Sequence, residues 1–180
     1  MDRFPNAFVS YLVEFHATRD YFECHELLEE YWKEHPGDSL AETWVGLIQL
    51  AVGQYHDRRG NLRGALKMYE QAEQRLIVSP LEEELGIEKE SLLKQLTGRM
   101  EALRANTGAD YADIDIRIIN DQLMTLCEHA CRERGLAWGI SSPLHDKSII
   151  HRHTLRDRSD VIEARSAAYM AKKRERSGLS

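Results

Sequence analysis

Residues 39–58 constrain this chain more than any other stretch. At helical spacing, Leu40, Trp44, Leu47, Ile48, Ala51 and Tyr55 share one side of a helix, with Val45 and Val52 beside them. A helix that is apolar over most of its circumference must be covered from several directions. The chain is therefore expected to fold as an all-α, irregular multi-helix array around this central buried helix.

The flanking sequence supplies the covering helices. Asn6–Thr18 places Phe8, Tyr11, Leu12 and Phe15 on one face. Asp20 is a suitable N-cap for a second helix, which His35-Pro36-Gly37-Asp38 stops. Ser39, with Glu42 three residues on, suggests a capping box for the central helix. Asn61 caps a fourth helix running to about Val78, and periodicity predicts further helices over 89–105, 116–134 and 157–175. Residues 135–150, with Gly135, Gly139 and Pro143, read as irregular. The fourth helix resembles half of a tetratricopeptide repeat, but no second copy follows at the 34-residue period, so a solenoid is excluded. The expected division is a helical core over 1–106 and a helical extension over 107–180.

Composition narrows the class. Hydrophobic residues at 42% and charged residues at 30% describe a globular chain, and no stretch approaches the roughly 20 apolar residues of a membrane helix. Three cysteines give no disulfide framework and the N-terminus has no signal-peptide layout, so a cytoplasmic location is expected. Residues 145–180 carry nine Lys/Arg against five Asp/Glu, net +4. Residues 1–144 carry fifteen against twenty-five, net −10. An acidic body argues against nucleic acid as a partner, because phosphate binding needs a coherent basic face. Cys127 and Cys131 lack the second pair of a zinc site and read as buried thiols. His145, His151 and His153 read as surface histidines.

Chemistry-bearing side chains concentrate on the second and third helices. His25 and Glu29, one turn apart, offer an imidazole and a carboxylate from one helix face beside Tyr21 and Trp32. Glu26 points away, and the second histidine of the zinc-protease motif is replaced by Glu29, which removes that reading. On the third helix a polar stripe of Glu42, Gln49 and His56 runs between Gly46 and Gly53, glycines that suggest close approach of another backbone or a ligand. Antiparallel packing at a 1.5 Å rise per residue sets Gln49 level with His25 and His56 about 10 Å lower.

The ordered block Tyr21-Phe22-Glu23-Cys24-His25-Glu26, Glu29, Trp32, Gly46-Leu47-Ile48-Gln49-Leu50-Ala51, Tyr55-His56, Gly60-Asn61 and Gly64-Ala65 resembles the small helical proteins of domain-of-unknown-function family 309. The resemblance covers residues 8–76. It implies a compact all-α domain of bacterial or archaeal cytoplasm and no particular activity. Its signature positions fall here on His25, Glu26, Glu29, Trp32, Gln49, His56, Asn61 and Gly64.

Three functional readings follow. The first is a non-catalytic binding or adaptor protein, whose groove of Tyr21, His25, Glu29, Trp32, Gln49 and His56 takes a small molecule or a partner protein. The second is a metal-dependent hydrolase, with His25, Glu29 and His56 ligating a divalent metal and Glu26 as base. In the third the motif is purely structural, with His25 bonded to Glu29 or Gln49.

Overall fold

A computed structural model describes residues 3–106, 110–155, 166–167 and 169–170. It is an all-α array: α1 (Asn6–Val13), continued by a π-helical turn (Glu14–Thr18), then α2 (Tyr21–Glu34), α3 (Ala41–Arg58), α4 (Leu62–Leu76), α5 (Lys89–Ala105), α6 (Asp121–Arg134) and the short α7 (Lys147–Ile150) and α8 (Arg152–Leu155). The described residues form no strand beyond an isolated antiparallel bridge between Ile87 and Ile118. No helix among them is long and apolar enough to cross a membrane. Packing divides the chain into a unit of residues 1–150 and a second of 151–180. Beyond the expected boundary at 106/107, residues of the 110–150 stretch bond Tyr21 of α2, Gln54 of α3, and Gln95 and Arg99 of α5. The last expected helix, 157–175, lies largely outside the described residues.

α3 is the centre, flanked by α2 and α4. Trp44, Leu47, Leu50 and Ala51 are fully buried. Its glycines explain how close α4 comes. A Cβ on Gly53 would lie 2.5 Å from the Tyr69 ring, and one on Gly46 would lie 2.9 Å from Leu76. The close approach expected at these two positions is therefore helix packing.

Side-chain caps set the starts of α2, α4 and α6. The Asp20 side chain accepts from the Glu23 N–H at 3.1 Å, and Asn61 accepts from Gly64 N–H at 3.1 Å. Ser39 does not cap α3; Asp38 Oδ1 instead accepts from Leu40 N–H at 2.8 Å, one residue ahead of the helix. α4 ends at Leu76 rather than Val78. α6 begins at Asp121, not Ile116, because Asn120 caps it at Leu123 N–H, while Ile114 and Ile116 are buried from an extended segment.

That extended segment is tied to the junction of the π turn and α2. Arg19, in the left-handed region at φ 56°, donates to the Ile140 carbonyl at 2.7 Å, the Ile114 carbonyl at 3.3 Å and Asp115 at 2.8 Å. The backbone cost of about 1–2 kcal/mol for a non-glycine there is offset by three charge-assisted bonds. Buried His16 completes the clasp. Its Nδ1–H donates to Leu12 O at 2.9 Å, its Nε2 accepts from Ile116 N–H at 3.0 Å, and Trp138 stacks on the ring at 4.4 Å. Burial drives the His16 pKa down to about 4, so the ring is neutral near pH 7.

Candidate functional site

The outward side of α2 gathers three potential ligand groups. His25 Nε2 lies 2.6 Å from Glu29 Oε2, and its Nδ1 lies 3.2 Å from Glu26 Oε1. The donor atoms of His25, Glu26 and Glu29 lie within 4.8 Å of one another, so this cluster could hold a metal ion. All three side chains are partly exposed, at 26%, 37% and 30%. Lys33, one turn on, places its ammonium 2.6 Å from Glu29 Oε1. Burial pushes the Glu29 carboxyl up, but Lys33 and His25 together hold it below the ordinary carboxylate value. Phe22 meets the His25 ring edge-on at 5.8 Å and reaches the Tyr55 ring of α3 at 5.9 Å.

The expected six-residue groove does not assemble. His25 and Glu29 do meet, by the i,i+4 geometry of one helix. Tyr21 is fully buried, and its hydroxyl donates to Asp113 at 2.8 Å. Gln49 faces α4: its Nε2 donates to Gln71 Oε1 at 2.9 Å and its Oε1 accepts from Arg75 at 3.2 Å. Helix register fixes height along an axis but not direction around it, and Gln49 turns to α4 rather than to α2. Trp32 packs half-buried against the core. His56 Nδ1 is 3.2 Å from the Asn61 amide nitrogen, and His56 is not among the three donors that converge. The expected ligand trio of His25, Glu29 and His56 is thus replaced by His25, Glu26 and Glu29. Glu26 had been expected to turn away; adjacent in sequence, it swings round to the other ring nitrogen.

A larger polar assembly lies inside. Asp57, 2% exposed, accepts from Arg99 Nε and Nη2, both at 2.7 Å, and from the Tyr69 hydroxyl at 2.9 Å. Tyr69 in turn accepts from Gln54 Nε2 at 2.6 Å, and Gln54 Oε1 accepts from Tyr111 and from Ile114 N–H. Asp113 collects the hydroxyls of Tyr21, Tyr111 and Ser142 together with Ser142 N–H. Burial raises its carboxyl, but these donors hold it below the ordinary value. Arg58 closes the chain, donating to Arg19 O at 2.7 Å and Ser142 Oγ at 3.1 Å, with its guanidinium 4.6 Å over the Tyr21 ring.

Sequence reading passed over Gln54, Asp57 and Arg58. The signal was present: they continue the core-facing series Leu47, Leu50 and Ala51 at helical steps, so polar groups there need partners inside, which Gln54, Asp57 and the Nη1 of Arg58 find. Asp57 is sealed from solvent with both oxygens engaged, and half-buried Asp113 is bonded by four donors, so neither is arranged to receive a substrate. The interior assembly fastens the 110–115 and 138–142 segments to α3.

The chain is 42% identical over 179 residues to a protein of Bacillus subtilis (strain 168) described as uncharacterized protein YpuF, a match spanning 96% of this chain and 99% of that one. No solved structure gives a significant match. The model of the family described as "Domain of unknown function (DUF309)" matches residues 8–68, which include the whole α2 cluster and the α3 half of the interior assembly. The chain therefore belongs to the DUF309 family.

Proposed function

We propose that this is a non-catalytic binding protein that recognises a cationic segment of a partner protein through the α2 ridge of Phe22, His25, Glu26 and Glu29. The observation that carries this reading is the bracketing of one imidazole by two carboxylates on a partly exposed helix face. Both ring nitrogens are engaged, so His25 is poorly placed as a general base, and the thiol of neighbouring Cys24 is buried with its pKa raised by burial. What remains on the surface is a carboxylate-rich ridge with an aromatic edge, suited to a lysine or arginine side chain. Glu23, Glu30 and Glu34 extend the acidic helix on either side.

Affinity for a lysine-rich peptide tests it. The double variant Glu26→Gln/Glu29→Gln is expected to bind about tenfold more weakly than wild type, the equivalent of about 1.4 kcal/mol. Glu128→Gln/Glu133→Gln on exposed α6, with the same change in net charge, is the control. Equal loss in both variants would reduce the effect to overall charge and overturn the reading.

A second reading has its own observation. Three donors within 4.8 Å of one another suit a divalent transition metal, with His25 and the two carboxylates as ligands. Elemental analysis of untagged protein after incubation with zinc and repurification distinguishes them. Stoichiometric metal lost in His25→Ala favours this alternative, and a metal-free protein leaves the cationic partner.

A further inference from the structure

We propose that the outer face of α5 is a self-association surface, on which a second copy of this chain lays its own α5 antiparallel across Gly98. The face lines an open groove of about 850 Å³ bounded by Glu82, Glu90, Leu93, Lys94, Thr97 and Glu101.

Gly98 is the first observation. Glycine in a helix interior costs about 1 kcal/mol relative to alanine, and within this chain such glycines are otherwise explained. A Cβ at Gly46, Gly53 or Gly64 would meet neighbouring side chains at 2.9 Å or less, whereas one at Gly98 meets nothing within 4 Å. The bare backbone at Gly98 therefore faces outward into the groove, where it permits a second helix to approach closely.

Charge pattern is the second observation, and it selects the occupant. A two-fold axis passing between Thr97 and Gly98 places Lys94 of each copy opposite Glu101 of the other, and Leu93 opposite Ala102. Lys94 and Glu101 are both exposed, and neither has an ion pair with its own chain among the described residues. A parallel arrangement would bring Lys94 against Lys94. The apolar margin is the third observation: Lys89, at one end of the groove, donates to Ile77 O at 3.3 Å, and Ile77 and Val78 there are 56% and 80% exposed. The antiparallel pair is self-complementary in charge, with Gly98 of each copy giving room for the other's backbone.

Sedimentation equilibrium of the full chain tests this. Wild type is expected to show a concentration-dependent monomer–dimer equilibrium. Lys94→Glu and Glu101→Lys are each expected to weaken it about tenfold or more, and the double charge swap to restore it. Gly98→Gln, whose new side chain enters open space in the monomer, is expected to keep the helical circular dichroism of wild type and lose the dimer. A protein monomeric at its highest soluble concentration would overturn the proposal. So would a dimer indifferent to the single charge changes, a double variant that stays weak, or a folded Gly98→Gln protein that still dimerises.

Discussion

Arg99 of α5 grips Asp57 of α3 with two parallel bonds of 2.7 Å, although the carboxylate is fully enclosed and the two residues are 42 positions apart. The fork geometry satisfies both carboxylate oxygens at once. This pair links the central helix directly to α5, which also packs on α4, and Arg99 donates as well to the Asp110 carbonyl at 3.0 Å.

Removing one partner leaves the other charge buried and uncompensated. Arg99→Met and Asp57→Ala are each expected to destabilise the fold by about 3–5 kcal/mol. The double variant should cost clearly less than the two added together, since it leaves no orphan charge. Urea unfolding of the four proteins measures the coupling.

Two glycine-to-alanine changes are expected to have opposite signs. Gly98→Ala should stabilise the monomer by up to about 1 kcal/mol through helix propensity alone, because its Cβ meets open space. Gly53→Ala gains the same propensity but drives a methyl group to 2.5 Å from the Tyr69 ring. That ring cannot withdraw cheaply, because its hydroxyl bonds both Gln54 and Asp57. A net loss of about 1–3 kcal/mol is expected from the overpacking. Thermal melts of both variants decide it.

Acid should loosen the His16 clasp. Its folded-state pKa, about 4, lies below the ordinary 6.5, so between those values the unfolded chain binds a proton that the folded chain excludes. The contribution is complete above pH 6.5 and is lost as pH falls towards 4, about 2 kcal/mol of it by pH 5. Denaturant unfolding of wild type and His16→Gln at pH 7 and pH 5 tests this. The variant is expected to have the shallower pH dependence; equal slopes would contradict the assignment.

Local signals in the sequence were read well where local physics decides. Asp20 and Asn61 cap the helices they precede, and α5 spans the predicted 89–105. Tertiary context decided the misreadings. Ile116 and Ile118 fit a helical period, yet they belong to an extended stretch held by His16 and the Ile87 bridge. His25–Glu29 was legible because i,i+4 spacing fixes the contact within one helix. Gln49 was misplaced because helix register gives height along the axis but not which neighbour a side chain faces. The partners of Gln54 and Asp57 lie on α4, on α5 and in the 111–114 stretch, contacts that no spacing within α3 reveals.

The binding reading is tested most directly by amide NMR of the full protein titrated with a lysine-rich peptide. Saturable shifts centred on Phe22, His25, Glu26 and Glu29, lost in Glu26→Gln/Glu29→Gln and retained in Glu128→Gln/Glu133→Gln, are the predicted result. Shifts spread evenly over the acidic surface, or unchanged by the α2 substitutions, would contradict it and leave His25–Glu29 as an internal brace of its helix.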